Sequence, residues 1–282
     1  MCVHTSLSST FHRFNTYAVI DTAEAYGFGL SEQLINEFGA RDGGRRPVIA
    51  TKFAPLPWRR GRADVVKAAR GSCARLGASR VGLYQCHWPG ALPGQTEAYV
   101  DGLGDVLDAG LAAGVGVSNF KASRVEAAAA ALGGRVSTNQ VQYSLLYRTP
   151  EDNGVVSATQ GAGATIIAYS PLAQGILSGK FHRDPSLVRS RPGPRRWLAA
   201  FRPSGLERSR ALVAALEEIA RAHGATPAQV ALSWLVRFHG DAVVAIPGAV
   251  SAAQARENAG AMALELRAAE LQQLDELSRP YL

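Results

Sequence analysis

Four residues in this chain carry groups that together can place a proton on a developing oxyanion. They are Asp21 and Tyr26 in DTAEAYG, Lys52 in ATKF, and His87 in LYQCHWPG. A phenol with a pKa of about 10 is a poor acid at neutral pH unless its anion is stabilised. A lysine ammonium beside it supplies that stabilisation, and a carboxylate paired with the ammonium holds it in place. A histidine near the hydroxyl can orient a carbonyl or share the proton. Lowering a tyrosine pKa by about 2 units takes roughly 2.7 kcal/mol, within reach of one close charge in a dry pocket. Such a group protonates oxygen while another agent delivers hydride to carbon. Taken singly, each residue has a plainer reading: Asp21 as a turn or cap residue, Lys52 as a surface charge, His87 as a hydrogen-bonded core histidine.

The elements that must position these groups are visible in the pattern. Short apolar or β-branched runs at 16–21, 47–52, 81–86, 114–118, 137–142, 165–170 and 242–246 read as strands. Helical spacing fills 31–38, 64–76, 98–112, 123–132 and 226–238, the last opening on Thr226-Pro227, a cap followed by proline. Strands alternating with helices predict an α/β fold with a parallel sheet buried on both faces. A doubly wound dinucleotide fold should show GxGxxG after an early strand; Gly27-Phe28-Gly29 comes too late and lacks the third glycine. Instead the strands end in polar residues: Asp21, Lys52, His87, Ser118-Asn119, Gln140, Tyr169-Ser170. In a (β/α)8 TIM barrel all strand C-termini meet on one face, so these groups would surround one centre.

Composition excludes several classes. At 282 residues, 47% hydrophobic and 19% charged, the chain is long enough for one large core and too apolar for intrinsic disorder. The longest apolar stretch, 102–118, is broken by Asp105 and Asp108, so no membrane span is expected. Cys2, Cys73 and Cys86 form no CxxC pair, which excludes a disulfide scaffold and makes a reducing compartment the default. Cys86 lies in an apolar strand and reads as an inert buried thiol. His4, His12, His182, His223 and His239 show no metal-ligand spacing, and no metal site is expected. The net charge of +7 is carried mainly by arginine. The arginine-rich tract at 171–206 has no regular period and reads as a lid loop; with few interleaved aromatics it is no nucleic-acid site.

Eight motifs in order make the chain resemble the aldo-keto reductase family. They are DTAEAYG, ATKF, LYQCHWPG, GVSNF, NQVQYSLLYR, AYSPLAQGILSGK, TPAQVALSWL and IPGAVSAAQARENAGA, and the tract from NQVQ to the GPRR loop is most similar to the plant and algal plastid branch. The resemblance implies a barrel domain over 16–282 that binds NADPH across its strand ends and reduces small carbonyl substrates. It makes Tyr26 the proton donor, Lys52 and Asp21 its tuning pair, His87 the substrate-orienting group and Trp88 a wall of the substrate pocket. Ser118, Asn119 and Gln140 would hold the nicotinamide carboxamide, with Tyr169 stacked on the ring. Ser170, Pro171, Leu172, Gly175 and Lys180 would line the pyrophosphate side, and Gly248, Val250, Gln254, Glu257 and Asn258 the adenosine end.

Two departures from the family pattern stand out. Residues 1–15 resemble neither the strand nor the helix with which the family opens, so an N-terminally truncated barrel is expected. Val250 occupies a position where many NADP-preferring relatives carry a cation, so Arg256, Arg189, Arg191, Arg195 or Arg196 must meet the 2′-phosphate, or NADH competes. The plastid likeness implies a chloroplast location, with the cytoplasm as the alternative. A non-catalytic, cofactor-binding regulatory subunit and an inactive truncated reductase are the competing readings; retention of His87 favours catalysis.

Overall fold

The computed structural model describes residues 19–41, 47–190 and 197–282. The segment 1–15, the expected strand start at 16–18 and the arginines Arg191, Arg195 and Arg196 lie outside the described residues.

Seven strands occur among the described residues: β1 (Val19–Asp21), β2 (Val48–Phe53), β3 (Val81–Cys86), β4 (Ala112–Ser118), β5 (Val136–Gln142), β6 (Thr165–Tyr169) and β7 (Val243–Ile246). The helices are α1 (Leu30–Arg41), α2 (Arg62–Arg75), α3 (Gln95–Asp108), α4 (Ala122–Ala131), α5 (Thr149–Asp152), α6 (Val155–Gly161), α7 (Lys180–Arg183), α8 (Pro203–His223), α9 (Pro227–Arg237), α10 (Ala252–Gly260) and α11 (Ala268–Ser278). Strand order in the sheet equals chain order, β1 through β7. That order matches the barrel expectation and excludes a doubly wound sheet, whose order reverses at a switch point.

The chain divides into two compact units. One comprises the described residues through Val141 together with Asn153–Ile167; the other comprises Gln142–Asp152 and Ala168–Leu282.

In the first unit β1 to β5 pair in parallel, with Asp21 opposite Ala50, Lys52 opposite Gln85, Gln85 opposite Gly116, and Ser118 opposite Gln140. Side chains alternate across the sheet, so one face is apolar and the other carries the polar strand ends. Phe53, Tyr84, Cys86, Val115 and Val117 pack against Val65, Ala69, Tyr99, Leu103 and Val106 of α2 and α3. On the opposite face space is tight: a Cβ at Gly116 would come within 2.0 Å of Thr138 Oγ1. Glycine is required there by close approach.

In the second unit β7 is buried throughout. Helix α9 begins with a reciprocal cap, Gln229 N–H to Thr226 Oγ1 and Thr226 N–H to Gln229 Oε1.

Two expectations are corrected. The helix expected at 98–112 ends at Asp108, because Gly110 (φ +68°) turns the chain and the apolar Ala112 already begins β4. The tract at 171–206 is not a structureless lid. Its described part folds into short helical turns held by a cluster of Ile176, Phe181, Phe201 and Leu206. The last residues of the tract open α8, which runs 21 residues with Pro203 in its first turn and Gly224 (φ +61°) at its end.

Candidate active site

The first unit gathers the four chemically capable residues around the ends of β1, β2 and β3. Lys52 is fully buried, and its Nζ donates to Asp21 Oδ1 at 2.5 Å and to the Thr22 carbonyl at 2.8 Å. The surface-charge reading of Lys52 is thereby overturned. Gln140 Nε2 donates to the other Asp21 oxygen at 2.9 Å, so both oxygens of this carboxylate are engaged. The Lys52 ammonium lies 5.4 Å from the centre of the Tyr26 ring. Tyr26 is 44% exposed, and its ring meets that of His87 edge-on at 5.7 Å. Trp88 flanks His87 with ring centres 4.6 Å apart.

Ser118 Oγ donates to the Gln140 carbonyl at 2.9 Å. Asn119, in a left-handed conformation (φ +61°), donates through Nδ2 to the His87 carbonyl at 3.1 Å. Ser118, Asn119 and Gln140 are therefore one cluster beside His87. The His87 backbone N–H donates to the Phe53 carbonyl, while its ring Nδ1 is buried without a hydrogen-bond partner in the protein. Burial, and then the Lys52 charge, push the His87 pKa down to about 4, so the imidazole is neutral at physiological pH. A neutral ring can donate one hydrogen bond and accept another. Cys86 behaves as expected: burial pushes its thiol up to about 12, and Sγ contacts the Trp88 carbonyl.

Sequence reasoning missed a polar network behind these residues. Glu24 accepts from the Ala54 backbone N–H at 2.6 Å and from both terminal nitrogens of Arg59. Glu32, fully buried in the first turn of α1, accepts from Thr51 Oγ1 at 2.6 Å and from Arg75 Nε at 2.6 Å. The signal available was two glutamates within an otherwise small and apolar stretch. Their hydrogen-bond partners lie up to 43 residues away, where spacing carries no information.

The second unit holds the remaining expected binding residues in two groups. After β6, the turn from Ser170 to Gly175 has left-handed backbone at Ser170, Ala173, Gln174 and Gly175. A Cβ at Gly175 would lie 3.5 Å from Lys180 Cε and 3.7 Å from its Nζ, so the lysine stem and its ammonium lie against the turn. Pro171 and Leu172 sit inside that turn, and Tyr169 ends the strand before it. After β7, Asn258 Nδ2 donates to the Gly248 carbonyl, and the Val250 N–H donates to Gln254 Oε1. The Glu257 carbonyl accepts from Gln229 Nε2. The Val250 side chain is 93% exposed and offers no charge.

Comparison with known proteins decides the family. The aldo/keto reductase family model matches residues 11–279. The chain belongs to the aldo/keto reductase family. An uncharacterised oxidoreductase of Mycobacterium tuberculosis is 38% identical, covering 93% of this chain and 78% of that protein. The chloroplastic pyridoxal reductase of Arabidopsis thaliana is 34% identical, covering 93% of this chain and 73% of its own length. Among solved structures, an aldo-keto reductase of Klebsiella pneumoniae in complex with NADPH aligns with a TM-score of 0.68 at 31% identity, covering 92% of this chain and 79% of that one. The fold is the (β/α)8 barrel type of the aldo-keto reductases, and the enzyme is an NAD(P)H-dependent carbonyl reductase. The residues fit that cofactor. Consecutive left-handed residues beside a lysine make a cradle suited to a diphosphate, and the neutral, partly open His87–Tyr26 pair suits a carbonyl oxygen. No helix among the described residues is long and apolar enough to cross a membrane.

Proposed function

We propose that this aldo-keto reductase reduces small aldehydes and ketones to alcohols, with Tyr26 Oη as the proton donor. The observation that carries the reading is the fully buried Lys52 ammonium, paired with Asp21 at 2.5 Å and 5.4 Å from the Tyr26 ring. NADPH, when bound, supplies the hydride that reaches the carbonyl carbon. Tyr26 gives its phenolic proton to the carbonyl oxygen, and the Lys52 charge stabilises the phenolate left behind. Asp21, fixed by Gln140, keeps that ammonium from swinging away. His87, neutral because it is buried beside a cation, orients the carbonyl by a hydrogen bond and adds no competing charge. Trp88 walls the substrate side.

In the first unit Ser118, Asn119 and Gln140 would hold a carboxamide of the cofactor, and in the second Tyr169 offers a ring on which it would stack. Ser170, Pro171, Leu172, Gly175 and Lys180 would receive the phosphates, and Gly248, Val250, Gln254, Glu257 and Asn258 would receive the adenosine. Val250 cannot bond a 2′-phosphate, so Arg256, exposed on α10, or Arg189 supplies the charge. The likeness to the Arabidopsis enzyme supports pyridoxal-like aldehydes as substrates and a chloroplast location, which a fluorescent fusion of the full chain tests.

Fluorescence titration with NADPH and NADH, followed by carbonyl-dependent cofactor oxidation, tests the function. Micromolar NADPH binding with turnover supports it. Tight binding without turnover of any aldehyde or ketone would instead favour a non-catalytic, cofactor-binding role.

A further inference from the structure

The network behind the active site converges on one side chain. Arg75, the last residue of α2, donates through Nε to Glu32 at 2.6 Å, places Nη2 3.8 Å from Glu24, and donates from Nη2 to Ser72 Oγ at 3.2 Å. It also lies across the turn that follows Tyr26. Gly29 there has φ +93°, and a Cβ on it would stand 2.6 Å from Arg75 Cδ. A side chain at 29 and the arginine stem exclude one another, and only glycine takes that backbone without strain.

The two carboxylates held by Arg75 grip the strand on either side of Lys52. Glu32 takes the hydroxyl of Thr51, and Glu24 takes the backbone N–H of Ala54 while its own N–H reaches the Lys52 carbonyl at 3.4 Å. Thr51 and Lys52 point to opposite faces, as strand neighbours must. Fixing Thr51 from the helix side therefore fixes the direction in which Lys52 leaves the strand. The Tyr26 turn is tied to the same elements: Tyr26 N–H to the Ala23 carbonyl, Ser31 N–H to the Tyr26 carbonyl, and Thr22 Oγ1 to Ser31 Oγ at 2.8 Å.

We propose that Arg75 is a positioning residue for the proton transfer: through Glu24, Glu32 and Gly29 it holds the Lys52 end of β2 and the Tyr26 turn in register with one another. Arg75 touches neither substrate nor cofactor in this account, and it acts through the distance between an ammonium and a phenol. The inference rests on Tyr26 being the proton donor. Among the described residues Lys52 and His87 face Tyr26, with Asp21 behind Lys52. Loosening β2 moves the Lys52 charge away from the phenol and raises the pH at which Tyr26 loses its proton.

The experiment compares wild type with Arg75→Met, Arg75→Lys, Thr51→Val and Tyr26→Phe. Each is measured for NADPH affinity by fluorescence and for the pH profile of kcat on one aldehyde at saturating NADPH. Arg75→Met is expected to lower kcat about 10- to 100-fold, the loss that an ångström of misplacement causes. NADPH affinity should stay within about twofold and the alkaline limb of kcat should move upward. Arg75→Lys should recover part of the rate. Thr51→Val, which deletes one hydroxyl and nearly preserves volume, should shift the limb in the same direction by less, and it serves if Arg75→Met does not fold. A folded Arg75→Met or Thr51→Val with unchanged kcat and limb overturns the proposal, as does a loss of rate matched by loss of NADPH binding. Full activity in Tyr26→Phe would instead overturn the proton-donor reading on which it rests.

Discussion

Each unit of this enzyme buries an ion-pair network, and the two are built to different ends. In the second unit Arg148, 2% exposed, pairs with Glu151 and Asp275 and lies over the rings of Trp234 and Phe238. Tyr143 donates to Glu151 Oε1 at 2.7 Å, and His239 Nε2 meets the Tyr143 hydroxyl at 2.7 Å. The Arg148 backbone N–H reaches the Tyr281 carbonyl and its Nη1 reaches Ser278, so the network clasps the C-terminal helix. Burial lifts the Glu151 carboxyl, but hydrogen bonds from Arg148, His239 and Tyr143 outweigh it and hold the group at about 2.

In the first unit the buried pair Lys52–Asp21 is equally well satisfied on its inner side, yet it abuts a half-exposed tyrosine and a histidine whose Nδ1 has no partner. A network closed on itself stabilises and fixes a fold. One that ends at a half-exposed tyrosine and at an imidazole whose Nδ1 has no hydrogen-bond partner is the arrangement the proposed proton transfer calls for.

Removing a cation from each network is the strongest way to break that contrast. Lys52→Met should reduce kcat by about 10²- to 10⁴-fold, the range of a lost acid-base contribution, in steady-state assays at saturating NADPH. Arg148→Met should instead lower unfolding stability by about 3–5 kcal/mol in urea titrations, because it strands buried carboxylates. Its turnover per folded molecule should remain within about twofold of wild type.

The pH dependence of stability separates the two regions more gently. His87 has its pKa lowered from 6.5 to about 4 in the folded protein. The unfolded chain therefore holds more protons in that window, and stability falls as pH drops from 6.5 to about 4. Glu151 moves from 4.5 to about 2, so its contribution is full above 4.5 and is lost as pH falls toward about 2. His87→Gln should flatten the first window and Glu151→Gln the second, read by denaturant midpoints across pH. The smallest effect belongs to exposed pairs. Arg183→Ala, which breaks a solvent-facing contact with Glu217, should cost under about 1 kcal/mol and vanish in high salt.

The strand ends were legible because a parallel sheet puts its polar termini in the last residues of each apolar run. Asp21, Lys52, His87, Ser118 and Gln140 could be named on that basis. Helix α8 was missed although Leu212, Val213, Leu216 and Ile219 follow helical spacing, because the aperiodic residues before Pro203 masked its start. Helices α10 and α11 are short and polar on most faces, so their periodicity is weak. The Glu24–Glu32–Arg59–Arg75 network was invisible for a different reason. Its pairs form only after β1 docks on β2 and α2 packs behind them, and nothing in local spacing encodes a contact across 43 residues.

The most direct test of the central claim is kcat for Tyr26→Phe against wild type on one aldehyde at saturating NADPH, with NADPH affinity measured on the same preparations. A loss of at least about 100-fold with affinity unchanged is the expected result. Turnover within a few-fold of wild type would contradict it, because the buried Lys52–Asp21 pair would then be tuning a group the reaction does not use.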